Sequence, residues 1–198
     1  NNSGSLTVTN STLSGNTAGS VGGGIYNKSG ATLTVTNSTL SGNTAGSVGG
    51  GIFNDNGAIL SITNSTLSGN TAGSVGGGIY NKSGATLTVT NSTLSGNSAV
   101  YGGGGIVNIG TLTVTNSTLS GNSANYGGGI LNYNGNVNIT NSTISGNSAN
   151  SGGGIYNISG STTLTNSTLS GNTAGSVGGG IFNDNGAILS ITNSTLSG

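Results

Sequence analysis

The side chains able to carry acid–base, nucleophilic or metal chemistry are few enough to take one at a time. The 198-residue chain has two carboxylates, Asp55 and Asp184, two cations, Lys28 and Lys82, and neither His nor Cys. Glycoside hydrolysis needs two carboxyl groups about 5–9.5 Å apart, and these two lie far apart in the sequence. Imidazole bases, thiolates and most transition-metal sites have no residue to build on, and the abundant serines have no base beside them. Asn54-Asp55-Asn56-Gly57 is superficially a calcium turn, but one carboxylate binds calcium poorly, and an Asn-Gly turn accounts for the same residues. The glycine runs lack the Lys and the following helix of a phosphate loop. With a net charge of zero and no basic patch, the chain offers little to nucleic acid or to an anionic membrane surface. No apolar run is long enough to span a bilayer. The composition predicts a protein that is not an enzyme, holds no cofactor, binds no nucleic acid and inserts no part of this segment into a membrane.

Chemistry of another kind recurs throughout. Asn-Ser-Thr-(Leu/Ile)-Ser-Gly occurs eight times, with its Asn at Asn10, Asn37, Asn64, Asn91, Asn116, Asn141, Asn166 and Asn193. Each string opens with an N-glycosylation sequon, and Asn27, Asn81, Asn138 and Asn157 begin further ones. If the repeated Asn faces inward it cannot carry a glycan. Thr12, Thr39, Thr66, Thr93, Thr118, Thr143, Thr168 and Thr195 are then the candidates for O-linked sugar. A glycan coat would help a surface this poor in charge to stay soluble. Threonine also alternates with aliphatic residues. Thr7 and Thr9, Thr34 and Thr36, Thr88 and Thr90, and Thr113 and Thr115 form a Thr-x-Thr array that resembles the ice-binding face of some β-solenoid antifreeze proteins. Its first column is interrupted at Ser61, Asn138 and Ser190. High β propensity and stacking on a solvated face explain the threonines equally well.

The elements that position these residues follow from the period. The repeated Asn recurs at spacings of 27, 27, 27, 25, 25, 25 and 27 residues, in one register from end to end. Residues 1–198 therefore make a single repeat domain without a linker. Within a unit three segments look extended: Leu33-Thr34-Val35-Thr36-Asn37, Ser38-Thr39-Leu40-Ser41 and Gly50-Gly51-Ile52-Phe53-Asn54. Period-2 alternation and the intervening Gly, Asn and Ser clusters support this reading, and no helical apolar stripe is present. Three short strands in 25–27 residues are one turn of a parallel β-helix, an all-β solenoid of about 7–8 rungs with neighbours about 4.8 Å apart. At that spacing Asp55 and Asp184, five rungs apart, stand about 24 Å from each other and cannot act as a pair.

Aligned units give columns. Leu33, Leu60 and Leu87, then Val35, Ile62 and Val89, then Leu40, Leu67 and Leu94, then Ile52, Ile79 and Ile106 fill four inward columns, with Thr162 the one polar break. Asn recurs at three places per unit, as in Asn37, Asn43 and Asn54, and is expected to form ladders of stacked amides. Lys28, Asp55 and Lys82 share one turn in successive rungs and predict an alternating surface ion ladder of small energetic value. Strict alternation puts Tyr26, Phe53, Tyr80, Val107, Leu131, Tyr156 and Phe182 outside as an apolar ridge. Such a ridge could bind sugar, bury itself under a loop or, as the leading expectation, pack against a sister fibre.

Gly-Gly-Gly-Ile-(Tyr/Phe)-Asn followed by Thr-Asn-Ser-Thr-Leu-Ser-Gly-Asn resembles the right-handed β-helix repeats of large bacterial surface proteins, with the Gly-Gly-x-Ile and Phe-x-x-Asn repeats of chlamydial polymorphic outer-membrane proteins the nearest named relatives. Gly50-Gly51-Ile52 and Phe53-Asn54-Asp55-Asn56 carry the resemblance. It implies a secreted or autotransported passenger, often adhesive. The expected role is a non-catalytic extracellular filament or cell-surface stalk, with or without a glycan coat. An adhesin passenger and an ice-binding solenoid are the alternatives. Expected partners are further copies of itself, by end-to-end stacking or lateral bundling, and carbohydrate, either covalent glycan or that of a cell surface. The chain begins and ends partway through a repeat, which predicts a segment of a longer array.

Overall fold

A computed structural model describes residues 1–198. Every strand is parallel to its neighbours, and each pairs with its counterpart one repeat away. The first strand of each rung, as in Thr32–Thr36, builds an eight-stranded sheet, and the second, as in Thr39–Ser41, builds another. The strand typified by Ile52–Asn54 builds a seven-stranded sheet. These are the three strands expected. A two-residue strand, as in Thr44–Ala45, adds a short fourth side, continuous over four rungs and resumed between Ser148–Ser151 and Thr173–Val177. The molecule is thus a parallel β-solenoid of about seven turns.

Like stands over like, as the period requires. Leu33 pairs in register with Leu60, Leu40 with Leu67, and Ile52 with Ile79. Twenty-three buried aliphatic residues form one continuous core along the axis. Thr162, the polar break, is fully buried and lies beside the Nδ2 of Asn132. The rungs of 25 residues keep every inward column. Asn81-Lys82-Ser83-Gly84-Ala85-Thr86 in a long rung becomes Asn108-Ile109-Gly110-Thr111 in a short one, yet Leu87 still pairs with Leu112. In that rung both missing residues leave from this turn; in the next two short rungs one leaves here and one from the loop before the glycine arm, where Asn122 to Ile130 is one residue shorter than Asn97 to Ile106.

Two sharp corners join the sheets. The first is always the sequon Asn, with φ of 47–50°; the second is always Gly, as at Gly42, with φ of 61°. After the short strand the glycine arm crosses a narrow section of the rod. A Cβ on Gly50 would stand 2.4 Å from the Gly77 oxygen and 2.5 Å from the Thr71 oxygen. Only glycine lets two backbones approach so closely.

Candidate functional site

The three Asn columns do not behave alike. Asn43 and its equivalents as far as Asn172 are buried in a ladder, with only the terminal Asn16 exposed. The Asn43 backbone N–H and Nδ2 both donate to Asn70 Oδ1, each at 3.0 Å, and Nδ2 also donates to the Leu13 carbonyl at 3.0 Å. Asn54 and its equivalents form a second ladder, with Asn54 Nδ2 donating to Asn81 Oδ1 at 2.9 Å and to the Ala58 carbonyl at 3.3 Å. A third ladder was not anticipated. The Ser38 N–H donates to Ser65 Oγ at 3.1 Å, while Ser38 Oγ donates to the Thr36 carbonyl at 2.7 Å. No buried side-chain polar atom lacks a partner. The exceptionless Ser after each sequon Asn was the available signal for this ladder.

Asn37 and its seven equivalents are the correction. They form no ladder; all eight are exposed. Their left-handed backbone turns the side chain off the line that alternation would give it. Asn and Asp enter this region more readily than other non-glycine residues because their short polar side chains can bond locally. Of the further sequons, Asn27, Asn81 and Asn157 are locked into the second ladder and fully buried. Asn138 lies exposed on the first sheet. The alternative glycosylation column, Thr39, Thr66, Thr93, Thr118, Thr143 and Thr168, lies half-buried within the second sheet, with only the terminal Thr12 and Thr195 exposed. The Thr-x-Thr array faces outward on the first sheet. Thr34, Thr36, Thr88, Thr90, Thr113 and Thr115 are half-buried there and Thr7 and Thr9 exposed. The interruptions at Ser61, Asn138 and Ser190 fall in register with Thr34, Thr113 and Thr163. On the second sheet the Thr39 column runs beside an unbroken Ser column, Ser41 in the second rung.

The charges assemble into a local cluster and not the expected alternating stack. Lys82 Nζ pairs with Asp55 Oδ1 at 3.0 Å, whereas Lys28 makes no ion pair. Asp55 Oδ1 also accepts from the Asn56 N–H at 2.8 Å; its Oδ2 accepts from Tyr26 Oη at 2.8 Å and Ser29 Oγ at 3.2 Å. Asp55 is itself buried, so the cluster lies partly inside the rod. Burial pushes its carboxyl pKa up, but the Asn56 N–H, the Tyr26 hydroxyl and the Lys82 ammonium outweigh burial and bring it down to about 2. The bond to Asp55 in turn raises the Tyr26 phenol above its ordinary value. Three successive rungs are tied through one carboxylate. Tyr156 Oη repeats the contact to Asp184 at 3.0 Å near the other end.

The aromatic column is also a correction. Alternation puts it outside, yet Phe53 is only 6% exposed and Val107 only 2%. The glycine turn preceding each strand folds against it. A Cβ on Gly49 would stand 2.9 Å from the Phe53 Cβ. Within the column Phe53 and Tyr80 stack at 5.4 Å and Tyr156 and Phe182 at 4.8 Å. The cover is uneven along the column: Tyr156 is buried, Tyr80, Leu131 and Phe182 are half-buried, and Tyr26 is 36% exposed. Most of the aromatic surface that faces solvent comes from residues outside this column. Tyr101 is 57% exposed and Tyr126, one rung on, 40%, with Val100 beside them. They replace the Gly73-Ser74-Val75 type of loop found in other rungs, and the Tyr126 N–H donates to the Tyr101 carbonyl at 2.7 Å.

Two stretches, residues 10–28 and 64–82, match the repeat of the Chlamydia polymorphic membrane protein family. Each runs from a sequon Asn through the glycine arm to the Tyr-Asn-Lys turn, the same span of the first and third rungs. No curated protein and no solved structure matches the chain significantly. The matched stretches together with the parallel stacking identify these rungs as β-helix repeats resembling those of the chlamydial polymorphic membrane proteins.

Proposed function

We propose that this chain is a non-catalytic, extracellular structural element, a rigid length of filament or cell-surface stalk. The observation that carries the proposal is the continuity of three polar ladders and one apolar core through every full rung. Each rung is held mainly by the rungs on either side, the nearest-neighbour logic of solenoids. The likeness to a membrane-protein repeat of an outer-membrane family supports a location at the cell surface. The few ionisable groups support a non-catalytic role, because Asp55 is already committed to four donors within the fold. Negative-stain electron microscopy of the protein in place on its cells tests the reading. Straight unbranched fibres of rung-wide cross-section are expected, and compact globular particles would refute it.

A second reading, an adhesin passenger, has its own support in the exposed pair Tyr101 and Tyr126. No charged residue occurs between Lys82 and Asp184, so a partner there would be met by aromatic faces, amides and hydroxyls. Neutral carbohydrate suits that chemistry. Short rods tethered at one end, with glycan-array binding lost in Tyr101→Ser, are the result this reading expects; fibres whose glycan binding is absent would remove it.

A further inference from the structure

We infer that the first corner of each rung is a column of N-linked glycosylation sites, with Asn37 and its equivalents as acceptors and the Thr two residues on as the recognition residue. The two corners of a rung provide the comparison. Both hold left-handed backbone, and both are open to solvent: the Asn of the first corner is exposed in all eight rungs, and at the second a Cβ built on Gly15 meets nothing within 4 Å and one on Gly42 only the Gly15 nitrogen at 4.0 Å. Neither the turn nor the space therefore distinguishes them. Yet the second corner is Gly in every rung, the cheapest residue at positive φ, and the first is Asn in all eight. These eight amides belong to neither Asn ladder, and they make no hydrogen bond within the chain. The Ser that follows each has a structural task in the serine ladder. The Thr after it has none beyond strand propensity, since the Thr39 hydroxyl makes no hydrogen bond within the chain. The pattern thus joins two residues with free outward groups across one with a structural task, and that is the sequon.

The fold also selects among sequons. Asn27, Asn81 and Asn157 meet the sequence rule but donate within a buried ladder, so a sugar there would break the rod. The Thr39 column is half-buried, with like residues directly above and below it in register, and is the poorer acceptor. The donor class is an oligosaccharide activated as a lipid-linked pyrophosphate, supplied by the host's transferase on the outer side of its membrane. The Asn Nδ2 attacks the anomeric carbon, the bond from that carbon to the pyrophosphate oxygen breaks, the lipid pyrophosphate leaves, and the amide gives up one proton to the transferase. No electrons change hands. The corner then carries the sugar outward, along a rod whose net charge is zero.

The test is mass spectrometry of the full protein purified from its native host. Digestion with a non-tryptic protease and electron-transfer fragmentation would localise any saccharide. The expected result is sugar on Asn10-column peptides and none on Asn27, Asn81 or Asn157. An unmodified protein, sugar on the Thr12 column, or sugar on a ladder Asn each overturns the inference. Thr66→Ala removes the sequon of Asn64 and leaves the corner untouched. Asn64→Gly removes the acceptor and keeps a residue suited to positive φ. Each variant should lower the greatest number of glycans on the intact protein by one, with its unfolding temperature unchanged; an undiminished number would refute the assignment.

Discussion

Replacing Asn97 by Ala is the sharpest probe of what holds the rungs together. Asn97 Oδ1 accepts from the Asn70 N–H at 3.0 Å and from Asn70 Nδ2 at 2.9 Å. Its own Nδ2 donates to the Leu67 carbonyl at 3.0 Å and to Asn122 Oδ1 at 2.9 Å. The substitution leaves the Asn70 N–H and one Asn70 Nδ2 proton without an acceptor and deprives the Leu67 carbonyl of that donor. Leaving a buried polar group unpaired costs roughly 1–3 kcal/mol, so the two unpaired Asn70 donors imply at least about 2 kcal/mol. For a chain of this size about 2–4 °C is lost per kcal/mol, which predicts a fall in unfolding temperature of at least roughly 4 °C by circular dichroism. Because solenoids can open in part, amide hydrogen exchange over residues 94–99 should accelerate along with it. The control is Asn91→Gly at the exposed corner, expected to stay within about 0.5 kcal/mol of the parent. An Asn97→Ala protein that melts within about 1 kcal/mol of the parent would refute the view that the ladders hold the rungs in place.

Four further outcomes follow from the same geometry. Gly104→Ala puts a Cβ 2.5 Å from both the nitrogen and the oxygen of Ser123, backbone atoms that cannot rotate away. It should cost about 3 kcal/mol or more in chemical denaturation, whereas Gly19→Ala, with nothing within 4 Å, should be close to neutral. Asp55, with its carboxyl depressed to about 2, contributes stability that is present above the unfolded-state pKa near 4 and lost as pH falls through about 2. Lys82 is 39% exposed, so the change is on the order of 1 kcal/mol, and pH-dependent melting of Asp55→Asn should lack it. The interrupted Thr34 column predicts no thermal hysteresis in a freezing assay of the purified chain; a clear hysteresis gap abolished by Thr90→Leu would revive the ice-binding reading. Tyr101→Ser with Tyr126→Ser should leave the unfolding temperature within about 1 kcal/mol of the parent, because both rings are largely exposed; a large loss would show that they brace the fold.

The fold was legible because its information is periodic. A spacing of 25–27 residues and four aliphatic positions per unit fix the solenoid, the register and the inward columns, since shifting one strand by a single residue would expose its apolar face. What a strand-by-strand reading could not decide lay at the corners. Alternation holds only inside a strand, and a residue at positive φ resets which way the next side chains point. Asn37 and Asn43 are equally polar and equally regular in sequence; one projects into solvent and the other is buried, because a left-handed corner precedes Asn43 and includes Asn37. For the same reason Ser38, written as part of an extended run, became an inward ladder.

Long-range folding decided the rest. Whether Phe53 lies outside or under cover depends on where the Gly49 turn packs, a contact set by backbone proximity with no pattern of its own. Lys28 and Lys82 occupy the same turn, yet only Lys82 reaches Asp55, because side-chain reach between rungs is directional and the order of residues does not encode it. Sequence by itself determined that like residues stack on like. Tertiary structure decided which faces of that stack meet water, since exposure is a property of the closed cross-section and no single repeat contains it.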